Sequence, residues 1–238
     1  MSKENNLHDF LVDIADAIRE KKGTTEPINA QNLSEEIRGI ESGNTFYEVT
    51  MDANGKGKGV MSKIVVDEGV TEISAYAYSQ LPIVEIEFPQ SLIKIGNSAM
   101  EMCGGITELI FPDSVTFIGG RACYACGKLK KITLPRSLTT MGGTAFESTT
   151  ISTPVFIPPL LMNIPNNAFA YCRQLPAILF TEHTAVPTLS NTAAMTPQAI
   201  IVVPDNLYNE WTSDTQTNWN TLKDRIVKAS EYVEPTNE

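Results

Sequence analysis

The 238-residue chain is 42% apolar and 19% charged, with a formal net charge of −10. Such proportions exclude wholesale disorder, and the acidic balance excludes nucleic acid as the main partner, since phosphate binding needs clustered Lys and Arg. No apolar run approaches the roughly eighteen residues of a membrane span, and the start, Met1-Ser-Lys-Glu-Asn-Asn, has no apolar h-region. The expectation is a soluble protein made in the cytosol, with no membrane insertion.

At the N-terminus, Leu7, Phe10, Leu11, Ile14, Ala17 and Ile18 fall at helical spacing on one face, and Gly23 after Lys21 and Lys22 marks a stop. A second, shorter helix is predicted to carry Ala30, Leu33, Ile37 and Ile40 before Ser42-Gly43. Two helices of this size do not make a stable domain alone. Residues 1–42 are therefore expected to be a helical docking segment. Its apolar side chains, Leu7, Phe10, Leu11, Ile14, Ile18, Leu33 and Ile37, must pack on the rest of the chain, on each other across subunits, or on another protein. The run I-A-D-A-I-R-E-K-K-G-T-T-E-P-I-N-A-Q-N-L-S-E-E-I-R-G-I over residues 14–40 is similar to the N-terminal segment of tail-associated proteins in phages of gut bacteria. That resemblance implies a virion protein that docks by this end.

Residues 43–62 read as a linker and hairpin, with Phe46-Tyr-Glu-Val-Thr-Met followed by an Asp52-Ala-Asn-Gly turn. Gly55-Lys-Gly-Lys-Gly59 lacks the spacing of a phosphate loop and is expected to be a solvated hairpin tip.

From residue 83 the chain can be written in rows of 23 without a gap. Pro89, Pro112, Pro135 and Pro158 align, as do Ala99, Ala122, Ala145 and Ala168. Gly96, Gly119 and Gly142 form a third column, ended by Pro165. Diverged rows precede and follow, from Lys63 and from Leu175, which makes about six repeats over residues 63–198. Within a row, Ile83, Ile86 and Phe88 fit a short strand with alternate side chains inward, and Pro89 ends it for want of an N–H. Gly96-Asn97 suggests a turn, and Leu92, Ile95, Ala99, Met100 and Cys103 form a second apolar edge. Of eight inward positions per row, only Thr149 and Ser152 break the apolar pattern in the four clean rows. One row cannot bury its own edge, so rows must stack.

This pattern resembles the BspA-type leucine-rich repeat, whose usual row reads like L-T-S-I-x-I-P-x-S-V-x-x-I-G-x-x-A-F-x-x-C. Ile110-Phe-Pro-Asp-Ser-Val-Thr-Phe-Ile-Gly and Leu134-Pro-Arg-Ser-Leu-Thr-Thr-Met-Gly-Gly-Thr-Ala-Phe match best. The last clean row departs from it at Pro159 and Pro165, where a distorted coil is expected. Residues 199–238 break the period. Ala199-Ile-Ile-Val-Val-Pro204 reads as a strand, and Asp205 as the N-cap of a helix through Leu207, Tyr208 and Trp211. Trp219, Leu222, Ile226 and Val227 form a further helical edge, and both tryptophans are expected to seal the end of the core. This stretch is similar to the segment that closes BspA-type arrays.

No catalytic, cofactor or metal site is expected. Cys103, Cys126 and Cys172 share one column, with Thr149 between, and Cys123 sits where Met100, Phe146 and Phe169 sit. They read as buried free thiols. Cys103 and Cys126 stand on adjacent coils and could bridge, whereas Cys126 and Cys172, roughly 10 Å apart, could not. The two histidines, His8 and His183, have no nucleophile placed beside them by the sequence. What remains is a surface.

Two outward columns run along the strands: Lys63, Glu85, Glu108, Lys131, Pro154 and Ala177, then Val65, Glu87, Ile110, Thr133, Phe156 and Leu179. Of these, Glu85, Glu87, Glu108, Ile110, Lys131, Thr133, Phe156 and Leu179 form the candidate partner face. Ile110, Phe156 and Leu179 would be exposed on a bare monomer, covered either by subunits or the N-terminal helices, or by a partner.

The fold expected is α+β: a leucine-rich-repeat solenoid with an N-terminal helical segment and a C-terminal strand-helix cap. Its expected role is that of a non-enzymatic phage virion structural protein, associated with tail or fibre or decorating the particle. It would form a homo-oligomer, contact other virion proteins and present its repeats to a host surface receptor. The alternative is a bacterial BspA-like cell-surface adhesin that binds host matrix proteins.

Overall fold

Each row lays down two short strands and one hydrogen-bonded corner. The computed structural model describes residues 45–51 and 57–234. The predicted N-terminal helices, with Leu7, His8, Phe10, Leu11, Ile14, Ile18, Leu33 and Ile37, lie outside the described residues. The chain opens with an antiparallel hairpin of β1 (Thr45–Met51) and β2 (Gly57–Val65). Of the expected hairpin tip, Gly55 and Lys56 lie outside the described residues, and Gly57, Lys58 and Gly59 belong to β2. They are main-chain partners of Met51, Thr50 and Val49.

β2 then joins the repeats, since its second half pairs in parallel with β4 (Ile83–Glu87). The same edge of the winding continues through β6 (Glu108–Ile110), β8 (Lys131–Thr133), β10 (Val155–Phe156) and β12 (Ala177–Leu179). A second edge is built from two-residue strands: β3 (Glu72–Ile73), β5 (Lys94–Ile95), β7 (Phe117–Ile118), β9 (Thr140–Met141), β11 (Asn163–Ile164) and β13 (Thr188–Leu189). All of these repeat pairings are parallel, coil onto coil. The result is a β-solenoid of about seven turns with few helices.

That count exceeds the six repeats because the cap continues the winding. β14 (Ile200–Val203) pairs with β12, and β15 (Ile226–Lys228) pairs with β14. Ile226 and Val227 are therefore strand residues, not a helical edge, because β14 offers an open ladder and β-branched side chains fit one. The helix after Pro204 is a single 3₁₀ turn, Asp205–Leu207, running into the four-residue α-helix Tyr208–Trp211. Asp205 does not cap it. Its carboxylate accepts the Ser230 N–H at 3.0 Å and tethers the segment after β15. Arg225 donates to the carbonyls of Thr196, Pro197 and Ala199 and fixes the entry to β14.

The third side of each coil is a corner that residue types alone do not announce. Among the described residues ten non-glycine residues have left-handed backbone, two per coil and four apart: Tyr76 and Gln80, Ser98 and Met102, Arg121 and Ala125, Thr144 and Ser148, Asn167 and Tyr171. Each costs about 1 kcal/mol relative to ordinary backbone. The conformation turns alternate N–H groups toward the next coil. Ser98, Met100 and Met102 donate to the carbonyls of Gly120, Ala122 and Tyr124, and Arg121, Cys123 and Ala125 to those of Gly143, Ala145 and Glu147. The corner is thus a third ladder, and the strain is offset by satisfied main-chain groups.

The glycine column serves packing and not turn geometry. Neither Gly96, Gly119 nor Gly142 has positive φ. A Cβ on Gly119 would stand 2.6 Å from the Asn97 nitrogen, and one on Gly142 would collide with Gly120 backbone. Where Pro165 replaces glycine, the ladder loses a donor. Gly96, Gly119, Gly142 and Ser190 each donate to the preceding coil, but a proline has no N–H to give. The second-edge sheet divides there, between β9 and β11. On the first edge the division between β8 and β10 falls at Pro154, for the same reason. The distortion expected in this row is a break in both sheets. The row's first inward position moves back by one, with Ile151 buried and Ser152 exposed, while Val155, Ile157, Leu161 and Ile164 keep their places.

The core is one continuous column of aliphatic and aromatic side chains from Ile64 to Ile226. Trp211 and Trp219 close its C-terminal end. Their rings lie 4.6 Å apart and both meet Phe180, while the Trp219 indole donates to the Pro187 carbonyl at 2.7 Å.

Thr144 combines left-handed backbone with a β-branched side chain, so Thr144→Gly should raise stability by about 1 kcal/mol, or roughly 2–4 °C in the thermal midpoint. Gly119→Ala should lower it by roughly 1–3 kcal/mol, because two backbones must separate. Thermal denaturation followed by circular dichroism checks both.

Candidate functional site

The outward face of the first strand edge is built by alternation. In β6 and β8 the central residues, Leu109 and Ile132, point into the core, while Glu108, Ile110, Lys131 and Thr133 face out and are exposed. β4 shows Glu85 and Glu87 outward and Ile86 inward. Lys63 reaches both Glu85, at 3.2 Å, and Glu87. Lys131 pairs with Glu108 at 2.7 Å. These are exposed pairs, worth little stability each, but they set the polarity of the face.

The apolar half is less open than the columns imply. Ile110 is 60% exposed. Phe156 is half-buried, with the Arg136 guanidinium 5.6 Å from its ring centre and itself held by Glu182 at 3.0 Å. Leu179 is also half-buried, and Ala177 is fully buried, its methyl group too short to clear its neighbours. Ile200 on β14 extends this half by one further strand, at 38% exposed.

Between β4 and β6 the face opens into a groove of about 600 Å³, lined in part by Val84, Glu85, Glu87, Glu108, Ile110 and Pro112. β4 and β6 belong to separate sheets. Where neighbouring strands on this edge are laddered, the residue after a strand donates to the next coil, as Phe111 does to Thr133, Ile157 to Leu179 and Phe180 to Val202, and at the β8–β10 break Leu134 makes no such bond among the described residues. Phe88 holds the same place after β4, yet no such bond from it is present among the described residues. Val84, 40% exposed, and the groove itself were not expected from the sequence. The signal available was the column Lys63, Glu85, Glu108, Lys131, whose middle step sets two like charges side by side.

The thiols lie on the corner, away from this face. All four are free and buried. Cys103, Cys126 and Cys172 direct their sulfurs to the carbonyls of Tyr78, Met100 and Phe146 on the preceding coil, at 3.0, 3.1 and 3.1 Å. Thr149 fills the gap in the column, donating to Phe146 at 3.0 Å and meeting the Cys172 sulfur at 3.1 Å. Burial pushes Cys103 up to about 11 and Cys126 up to about 12, and raises Cys123 and Cys172 as well. Thiols in that state are protonated and poor nucleophiles. Among the described residues no group of three or more His, Cys, Asp or Glu side chains could hold a metal ion. No helix among them is long and apolar enough to cross a membrane.

The repeat residues placed on these two edges and the corner match the family model described as BspA type leucine-rich repeat region, in six copies over residues 56–176. The chain belongs to the BspA-type leucine-rich repeat family. Among solved structures it is similar to a leucine-rich repeat protein from Bacteroides ovatus, at 19% identity and a TM-score of 0.50, over 60% of this chain and 37% of that one. A leucine-rich repeat protein from T. pallidum matches at 18% identity and a TM-score of 0.43, over 69% and 91% of the two chains. A leucine-rich cell surface protein from Faecalibacterium prausnitzii matches at 15% identity and a TM-score of 0.42, over 71% and 60%. The first of these likenesses shows the fold alone, and this chain spans little more than a third of that relative. No curated protein matches. In this BspA-type chain, as in any array of stacked coils, the inward columns are committed to the core. The outward columns are free to differ.

His183 is 3% exposed, lies 5.1 Å from the Phe180 ring and has no well-formed side-chain hydrogen bond. Burial lowers its pKa below the usual 6.5, against smaller opposing contributions from the Leu161 and Phe180 main chain. The unfolded chain therefore binds the proton more readily than the folded one. The stability from a neutral His183 is present above about pH 6.5 and is lost as pH falls through the lowered folded value. His183→Phe should flatten the fall in thermal midpoint between pH 7 and pH 5. Separately, none of the four thiols should react with a thiol reagent in the native protein, and all four should react in denaturant.

Proposed function

We propose that this chain is a non-enzymatic binding scaffold, and that it serves as a virion component of a tailed phage of gut bacteria. Residues 1–42 dock it onto the particle as an oligomer, and the strand face meets other virion proteins or a host surface. The observation that supports a binding role is the outward face itself, where Ile110 stands open at 60% exposure among Glu85, Glu87 and Glu108 while every inward neighbour is committed to the core. Apolar side chains left open beside charge are how protein contacts are usually built. The virion reading is supported by the resemblance of residues 14–40 to N-terminal segments of phage tail-associated proteins.

In this reading the repeats supply area and stiffness. Parallel ladders on two edges and hydrogen bonds along the corner hold neighbouring coils in fixed register.

Deleting residues 1–42 should leave a rod with an unchanged melting profile that no longer enters the particle. A truncated rod that still incorporates sinks the docking role, and a full-length chain recovered on bacterial surfaces instead favours an adhesin. Phe156→Glu, at the half-buried apolar end of the face, should weaken the partner or subunit contact while the thermal transition persists.

A further inference from the structure

Three features outside the reading above invite a function: the buried thiol column, the aromatic seal with His183, and the groove between β4 and β6. The thiols are protonated and closed off. His183 sits within the core at 3% exposure. The groove is open, and its shape and charge specify an occupant.

Along this column the charges run Lys63, Glu85, Glu108, Lys131, one coil apart. At the outer steps opposite charges meet, and the strands are laddered: Lys63 is the main-chain partner of Glu85, and Glu108 of Lys131. At the middle step Glu85 and Glu108 hold equivalent places on adjacent coils, and there the ladder is missing. No proline accounts for this break, unlike those at Pro154 and Pro165. Like charges side by side on neighbouring strands disfavour close pairing. Each carboxylate is drawn outward to its own lysine, so the gap between them holds two acids and no base. At one end of the gap the coils do touch closely, since a Cβ on Gly105 would collide with the Ile83 carbonyl. The opening is therefore local to the stretch from Glu85 to Phe88. Its apolar borders are Val84, Ile110 and Pro112.

We propose that this groove seats an extended segment of a partner protein, with an Arg or Lys side chain between Glu85 and Glu108 and an apolar neighbour against Ile110. The inference rests on the reading of the strand face as a binding surface and names the chemistry of its partner. A cation at that point restores the alternation that the column lacks. It also meets Glu87, two residues along β4 on the same side. An extended chain suits the site because the groove lies across the outward face, lined by side chains from two successive coils, from Val84 and Glu85 on one to Ile110 and Pro112 on the other. A peptide cation fits better than a metal ion, for which no cluster of ligating side chains exists among the described residues.

The test uses the full chain and two synthetic pentapeptides with blocked ends, Val-Arg-Val-Arg-Val and Val-Glu-Val-Glu-Val, titrated by calorimetry at low and high salt. The arginine peptide should bind saturably, weaken several-fold in high salt, and weaken at least tenfold in the double variant Glu85→Gln, Glu108→Gln. Glu72→Gln, on the second strand edge, should leave binding unchanged. The carboxylates are exposed, so an unaltered melting curve of the double variant confirms that its fold is intact. No binding of the arginine peptide, equal binding of the glutamate peptide, or undiminished binding by the double variant each overturns the proposal. Binding that survives the double variant but is lost with Phe156→Glu overturns the groove and leaves the wider face intact.

Discussion

Everything in this fold depends on one coil lying directly on the next. A single coil has too few residues to enclose its own apolar edge, and the main-chain hydrogen bonds of its strands and of alternate corner residues cross to a neighbour about one row away, while local turn bonds close the coil itself. Close approach is therefore the governing constraint. Gly96, Gly119 and Gly142 are present because any side chain there would strike backbone on the adjacent coil. The ten left-handed residues obey the same constraint, since their conformation aims N–H groups along the stacking direction. Side chains reinforce it where they can. Ser91 and Ser114 donate to the carbonyls of Val70 and Leu92, and the Asp113 carboxylate accepts the Arg136 N–H.

That division of labour separates stability from recognition. Inward columns and the corner are fixed by packing and hydrogen bonding, so substitutions there act on folding. The outward charged side chains of β2, β4, β6 and β8 pair with each other through solvent-exposed contacts, so they can be set by a partner. The two kinds of site meet at the groove, where the composition of the outward column coincides with a gap in the ladder beneath it. Here surface charge and backbone pairing are coupled, and a change at Glu85 or Glu108 reaches both.

Much of this was legible in the residues. Prolines and alanines in register at 23-residue spacing revealed the winding, and the inward columns followed from alternation within a strand. The tryptophans as a terminal seal followed from their place beyond the last repeat. Other features were hidden for physical reasons. A glycine kept for close approach looks the same in sequence as one kept for a turn, so the turn expected at Gly96-Asn97 is present from Asn97 onward, but the packing reason for Gly96 itself was hidden. Left-handed corners gave little signal because, Asn167 apart, they are occupied by Tyr, Gln, Ser, Met, Arg, Ala and Thr, types with no preference for that conformation. Ile226 and Val227 suit a helix edge or a strand equally, and only the open ladder of β14 decides between them. On the candidate face, alternation gave the direction of each side chain but not its cover. The shielding of Phe156 comes from Arg136 on the neighbouring coil, and the burial of Ala177 from its small size among larger side chains.

Native-state hydrogen exchange on the full chain tests the central claim most directly, by comparing amides at equivalent places on successive coils. Strong protection is predicted for Cys123 and Phe146 on the corner and for Phe111, Ile157 and Phe180 after the strands, all of which donate to a neighbouring coil. Phe88, at the same place beside the groove, should exchange markedly faster. Equal protection of Phe88 and Phe111 would contradict the account, because it would mean that β4 and β6 are laddered like the rest and that the carboxylates at Glu85 and Glu108 hold no gap open between them.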